Sequence, residues 1–232
     1  MSEAPSRPRQ LAFDLPLDSR HGVEDFLVGP SNEAAYGLVE SWPRWPEAWL
    51  RLTGPEGAGK THLAAIWARM AHAWTIPARE LSDDQVAHLV SGGALVIEDC
   101  DAGPFDEPAL FHLMNAVKAR GGHLLLTARS APELWGLKVP DLLSRLRLAP
   151  SATIEPPDDG LLRAVLVKLF IDRQLVVDTA VIDALALRME RSFAAARRVV
   201  DRLDRVALER GRRVTRPLVH EVLAELFPQE PG

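Results

Sequence analysis

Gly54-Pro55-Glu56-Gly57-Ala58-Gly59-Lys60-Thr61 has the spacing G-x-x-x-x-G-K-[ST], the pattern of a phosphate-binding P-loop. Upstream, Trp49-Leu50-Arg51-Leu52 reads as a buried strand. Downstream, His62-Leu63-Ala64-Ala65-Ile66-Trp67-Ala68-Arg69-Met70 reads as a helix. Strand, glycine loop and helix give the motif a physical meaning. Glycines let the backbone curl so that its N–H groups converge on phosphate oxygens, and the helix N-terminus adds partial positive charge. Lys60 is then placed for the β- and γ-phosphates and the Thr61 hydroxyl for Mg²⁺. The plainer alternative is a tight strand-to-helix turn that holds no ligand.

Outward from the loop, strands and helices alternate. The residues predict a strand at 74–76, a short helix at 83–90 and the unbroken apolar run Ala94-Leu95-Val96-Ile97. A helix at 107–119, a strand at 124–127, a helix from Pro140 to Arg147 and a short strand at 152–154 follow. Strands that are apolar throughout belong to a parallel sheet covered on both faces, so the fold class is α/β. Before the first strand, a helix is expected from Glu33 to Ser41, ended by Pro43 and Pro46.

Pro156-Pro157 breaks the alternation. Beyond it the pattern is helical at about 158–173, 178–188, 192–210 and 217–226, with Leu161, Leu162, Val165, Leu166, Leu169 and Phe170 at helical spacing. The expected organisation is a flexible tail at 1–20, an α/β nucleotide-binding domain at 21–155 and a smaller all-helical lid at 156–232. Within the tail, Gln10-Leu11-Ala12-Phe13-Asp14-Leu15 is an apolar island that suits either a partner or the domain's own surface.

Glu98 and Asp99 close the apolar run at the carboxyl edge of the sheet, where ligands of open α/β sheets bind. One carboxylate near Mg²⁺ and one orienting water is the need of phosphoryl chemistry, although two acids after a strand also occur as ordinary loop residues. Thr127 ends the next strand and Arg129 follows. Each suits a γ-phosphate contact or plain strand-end chemistry. Arg145 and Arg147 lie near the end of a short helix, a favourable place for cations. The functional alternative is an arginine finger that acts on a neighbour's phosphate.

The chain has 232 residues, a net charge of −5 and 47% hydrophobic residues. That charge argues against a broad nucleic-acid coat, but leaves a local basic patch open. Arginines interleaved with acids over 188–216 point first to a solvated, ion-paired helix face. With one cysteine, Cys100, no disulfide framework forms. No apolar run approaches the roughly 20 residues of a membrane span, so a soluble, cytoplasmic protein is expected. The seven histidines form no ligand constellation. Trp42, Trp45 and Trp49 suit packing better than base stacking.

In this order, P-loop, acidic strand end, polar strand end, Ser144-Arg145 helix and helical lid resemble an AAA+ ATPase, and more narrowly the DnaA-like replication initiators. The stretches Gln10–Pro16, Phe26–Asn32, Leu142-Leu143-Ser144-Arg145-Leu146 and Leu161–Val177 resemble the Hda-type (alphaproteobacterial HdaA) regulatory inactivators of DnaA. The resemblance implies that Phe26, Leu27, Val28 and Asn32 lie against adenine. It makes Gly54, Gly57, Ala58, Gly59, Lys60, Thr61 and His62 the nucleotide loop, with Thr61, Glu98 and Asp99 on the Mg²⁺ side. Thr127 becomes sensor 1, and Arg145 a finger directed at ATP bound to DnaA. Gln10, Leu11, Phe13 and Leu15 become the peptide for the DNA sliding clamp.

Two positions depart from the family pattern. Arg129 stands where an acid is frequent, and Ala194 falls near the sensor 2 arginine, with Arg191 or Arg197 as displaced candidates. The chain's end at Gly232 leads to the expectation that the origin-reading domain, and specific DNA binding, are missing. The expected protein holds ADP or ATP, has little turnover of its own, and inactivates DnaA on the clamp. Homodimerisation is open, and no membrane partner is expected. The alternatives are a self-sufficient AAA+ ATPase that serves as a helicase- or DNA-loading factor, or a nucleotide-gated clamp adaptor.

Overall fold

The computed structural model describes residues 26–227. The clamp-peptide residues Gln10, Leu11, Phe13 and Leu15 lie outside that range. Two compact units divide the described chain: residues 26–162 with 191–194, and residues 163–190 with 195–227.

In the first unit, β1 (Trp49–Thr53), β2 (Trp74–Pro77), β3 (Ala94–Glu98), β4 (His123–Ala128) and β5 (Ser151–Thr153) form one sheet in the order β2-β3-β4-β1-β5. Every neighbouring pair is parallel, with Leu52 opposite Thr127 and Ile97 opposite Leu126. Leu50, Leu52, Leu95, Val96, Ile97, Leu124, Leu125 and Leu126 are buried on alternating sides, which is why these strands carry no polar face.

Two apolar layers enclose the sheet. Alternate residues Leu50, Leu52, Val96 and Leu125 meet α1 (Glu33–Glu40) and α2 (Lys60–Ala71), including the fully buried Trp67. Leu95, Ile97, Leu124 and Leu126 meet α3 (Val86–Val90), α4 (Glu107–Ala119) and α5 (Pro140–Leu148). The tryptophans pack as the sequence predicts: Trp45 stacks on Trp67 at 5.0 Å, and Trp42 meets Trp67 edge-on.

Helix α4 starts where Asp106 accepts from Ala109 N–H at 2.9 Å with Pro108 in the first turn, a strong N-terminal signal. Its Glu107 then accepts from the backbone N–H groups of Lys138 and Val139, both at 2.8 Å, just ahead of α5.

The second unit takes in most of α6 (Asp159–Asp172) and α8 (Phe193–Arg210), with all of α7 (Thr179–Arg188) and α9 (Arg216–Leu226). Along α8 the buried set Ala195, Ala196, Val199, Val200, Leu203, Val206 and Ala207 recurs at three- and four-residue spacing. Part of the arginine-rich stretch is ion-paired, Arg202 with Glu225 and Arg210 with Glu221; outside that stretch, Arg163 pairs with Asp183 and Arg173 with Asp201. No helix among the described residues is long and apolar enough to cross a membrane.

Candidate functional site

At the carboxyl edge of the sheet, the loop between β1 and α2 turns through three glycines of positive φ: Gly54 (151°), Gly57 (73°) and Gly59 (105°). Gly59 is the left-handed residue at the start of α2, so the helix N-terminus opens onto the loop. A Cβ on Gly54 would stand 2.2 Å from the Ile154 carbonyl oxygen. Glycine there is a steric requirement as well as a conformational one.

Lys60 is buried, and its ammonium donates to Gly54 O at 2.7 Å and Pro55 O at 2.9 Å. Burial lowers its pKa, the carboxylates of Asp99 and Asp101 oppose that fall, and the Arg129 cation adds to it. An ammonium aimed into its own glycine loop, with a helix N-terminus alongside, is a donor set that fits a phosphate chain. Thr61 is exposed on the first turn of α2, and His62 is buried.

On one flank of the loop, Phe26 stacks on Tyr36 at 5.6 Å and meets His62 edge-on at 5.2 Å. Asn32 is 1% exposed and ties this segment together. Its amide donates to Leu27 O at 2.9 Å, and its oxygen accepts from Gly29 N–H at 2.8 Å. Val28 is exposed and Leu27 half-buried. The structure thus gathers Phe26, Asn32, Gly59 and His62 into one neighbourhood.

Residues 191–194 also border the loop. Phe193 N–H donates to Gly57 O at 2.9 Å, and a Cβ on Gly57 would stand 2.9 Å from Ser192 Cβ and 3.0 Å from Ala194 Cβ. Ser192 and Ala194 thus face Gly57 with small, uncharged side chains. Arg191, one of the displaced candidates, is engaged by Asp159 at 2.8 Å.

The acidic strand end lies on β3, one strand beyond β4. Glu98 is half-buried. Asp99 is exposed and left-handed, with φ of 57°. Thr127 is fully buried: its hydroxyl accepts from Asp99 N–H at 3.0 Å and its carbonyl from Cys100 N–H at 2.9 Å. It fastens the end of β3 to the end of β4. Cys100 is fully buried, and burial raises its thiol pKa far above the usual range.

A residue that the sequence did not single out completes this edge. Asp101 Oδ2 accepts from Arg129 N–H at 2.9 Å, Ser130 N–H at 2.8 Å and Ser130 Oγ–H at 2.8 Å. Burial pushes its carboxyl up, but the hydrogen bonds from Arg129 and Ser130 and the nearby guanidinium outweigh that and hold it below the usual range. The signal that could have found it is a third acid in Glu98-Asp99-Cys100-Asp101, next to a strand end that needs its neighbour's loop fixed.

Arg145 sits apart from these groups. It projects from α5 onto α4, where its guanidinium bonds Asn115 Oδ1 and stacks over the Phe111 ring at 4.5 Å. Both partners belong to the layer on the sheet face opposite α2. Arg147 pairs with Glu133 at 2.7 Å.

No family model matches the chain. Among solved structures it is similar to domain III of the Thermotoga maritima replication initiation protein DnaA, with a TM-score of 0.77 at 19% identity, covering 93% of this chain and 100% of that one. It is also similar to a DnaA bound to AMPPCP and single-stranded DNA, with a TM-score of 0.67 at 19% identity over 93% and 76% of the two chains. A third is the Thermotoga maritima RuvB Holliday junction branch migration motor, with a TM-score of 0.69 at 18% identity over 89% and 72%. Identities this low speak to architecture alone: this chain, with its five-stranded parallel sheet and flanking helices, shares the fold of these DnaA and RuvB structures.

Proposed function

We propose that this chain is a negative regulator of chromosomal replication initiation. It holds ADP at the P-loop, docks on the DNA sliding clamp through Gln10, Leu11, Phe13 and Leu15, and stimulates hydrolysis of DnaA-bound ATP. The observation that carries this reading is where Arg145 stands. Its partners Asn115 and Phe111 lie on the α4 face of the sheet, whereas Lys60 opens α2 on the other. A half-buried cation held away from the chain's own loop suits action on a nucleotide that another subunit holds. The DnaA-like fold supports the choice of partner.

In its own loop, the residues do three things. Lys60 and the α2 N-terminus compensate phosphate charge, and Phe26 with Asn32 shapes the adenine side. Thr61, Glu98 and Asp99 offer oxygen ligands for Mg²⁺. When bound, ADP and Mg²⁺ supply the charges that these groups are arranged to meet. Arg145 supplies a preorganised positive charge to a transferring phosphoryl group, an effect worth about 10³–10⁵ in rate for such fingers.

The test is hydrolysis of DnaA-bound ATP on adding the protein with ADP, clamp and DNA. A large acceleration that requires the clamp is expected. No acceleration with clamp binding intact would leave a nucleotide-gated adaptor instead. A second reading, a self-sufficient ATPase, is favoured by the RuvB likeness and by two acids one strand from β4. Steady-state turnover by the purified protein alone, with and without DNA, separates the two.

A further inference from the structure

We propose that Arg129 reads the third phosphate, so that this loop distinguishes a nucleoside triphosphate from a diphosphate through a cation on the loop after β4. The inference rests on the P-loop reading above and adds to it a residue at the end of a neighbouring strand.

Arg129 follows β4, the strand between the P-loop strand β1 and the acidic strand β3. Its guanidinium lies 3.8 Å from Glu56 of the P-loop and 3.9 Å from Asp101. Both distances are too long for hydrogen bonds, so these are ion pairs that leave the N–H fork uncommitted. The side chain is 49% exposed. Its charge also reaches Lys60, whose pKa it depresses, so the two cations share one electrostatic field.

Thr127 leaves this task open. Its side chain is fully buried, with the hydroxyl accepting from Asp99 N–H, and the exposed polar side chain two residues on is the Arg129 guanidinium. The glycine loop and Lys60 account for the first phosphates of a nucleotide. A further phosphate adds negative charge beside Glu56, Asp99 and Asp101, and a planar guanidinium is the group best matched to it.

The loop's geometry does not depend on the Arg129 side chain. Asp101 binds the backbone N–H groups of residues 129 and 130 and the Ser130 hydroxyl, none of which is lost in Arg129→Ala. Asp101 is thus a positioning residue: it holds the loop while the guanidinium stays free to exchange Glu56 for phosphate.

Equilibrium binding of AMPPCP and of ADP, each with Mg²⁺, to the full chain tests this. Arg129→Ala should weaken AMPPCP by about tenfold and ADP by less than about threefold, the size of a lost charge-assisted contact. Arg129→Lys, which keeps the charge without the fork, should fall between. Melting temperatures without nucleotide should match the parent. An unchanged AMPPCP-to-ADP affinity ratio in Arg129→Ala overturns the inference. If the parent protein binds neither nucleotide, the P-loop reading itself fails, and the inference fails with it.

Discussion

Gly54 and Gly37 show how one residue type carries opposite consequences in this chain. At Gly54 an added methyl meets the Ile154 carbonyl oxygen at 2.2 Å, with φ at 151°. At Gly37, on the exposed side of α1, it meets nothing within 4 Å. Gly54→Ala should therefore cost at least about 2 kcal/mol of stability, and Gly37→Ala should gain up to about 1 kcal/mol from helix propensity. Thermal melts of the two variants would show opposite shifts. Asp101 carries a pH signature of its own. Its folded pKa is depressed, so the stability it contributes is complete above the ordinary carboxylate range, about 3.9, and is lost as pH falls through the lower folded value. Asp101→Asn should be less stable than the parent at neutral pH, and denaturant midpoints should converge below about pH 4. Midpoints that stay separated at low pH would mean that shape, not charge, makes the difference.

Among the elements, α4 and α5 act as a pair. Glu107, in the first turn of α4, accepts from Lys138 and Val139 N–H and so sets where α5 begins. Further along α4, Phe111 and Asn115 hold the Arg145 head. Arg145→Ala should abolish stimulation of DnaA-bound ATP hydrolysis and leave the fold and clamp binding intact. Glu107→Ala should lower the same stimulation by releasing the start of α5, with ADP affinity unchanged, since Glu107 contacts none of the P-loop groups. Side-by-side turnover assays with DnaA and ADP-binding isotherms would check both. Full stimulation by Arg145→Ala would remove the finger assignment.

At the scale of the molecule, the proposal divides labour along the chain: a tail for the clamp, an α/β unit for nucleotide and a face that offers Arg145. Replacing Gln10 and Leu11 by Ala should weaken clamp binding in interferometry, with nucleotide binding untouched. An unchanged affinity would return the tail to a self-packing role. Lys60→Ala should do the reverse, abolishing nucleotide binding while the clamp contact persists.

Much of this architecture is legible in local pattern. The apolar run 94–97, the proline at 140 and the P-loop flanks place their elements within a residue or two of where they lie, because helix and strand periods are set by local backbone geometry. Other features join residues remote in the chain, and no local period encodes them. Ser192, Phe193 and Ala194 close over Gly57, Asp101 clasps the loop after β4, and Arg145 rests on α4. The sequence by itself determined a glycine loop between strand and helix in a parallel α/β sheet, with helices after it. Only the tertiary structure decided that Thr127 is sealed and Arg129 exposed at the same strand end, because burial depends on which strands become neighbours and not on the residues that flank them.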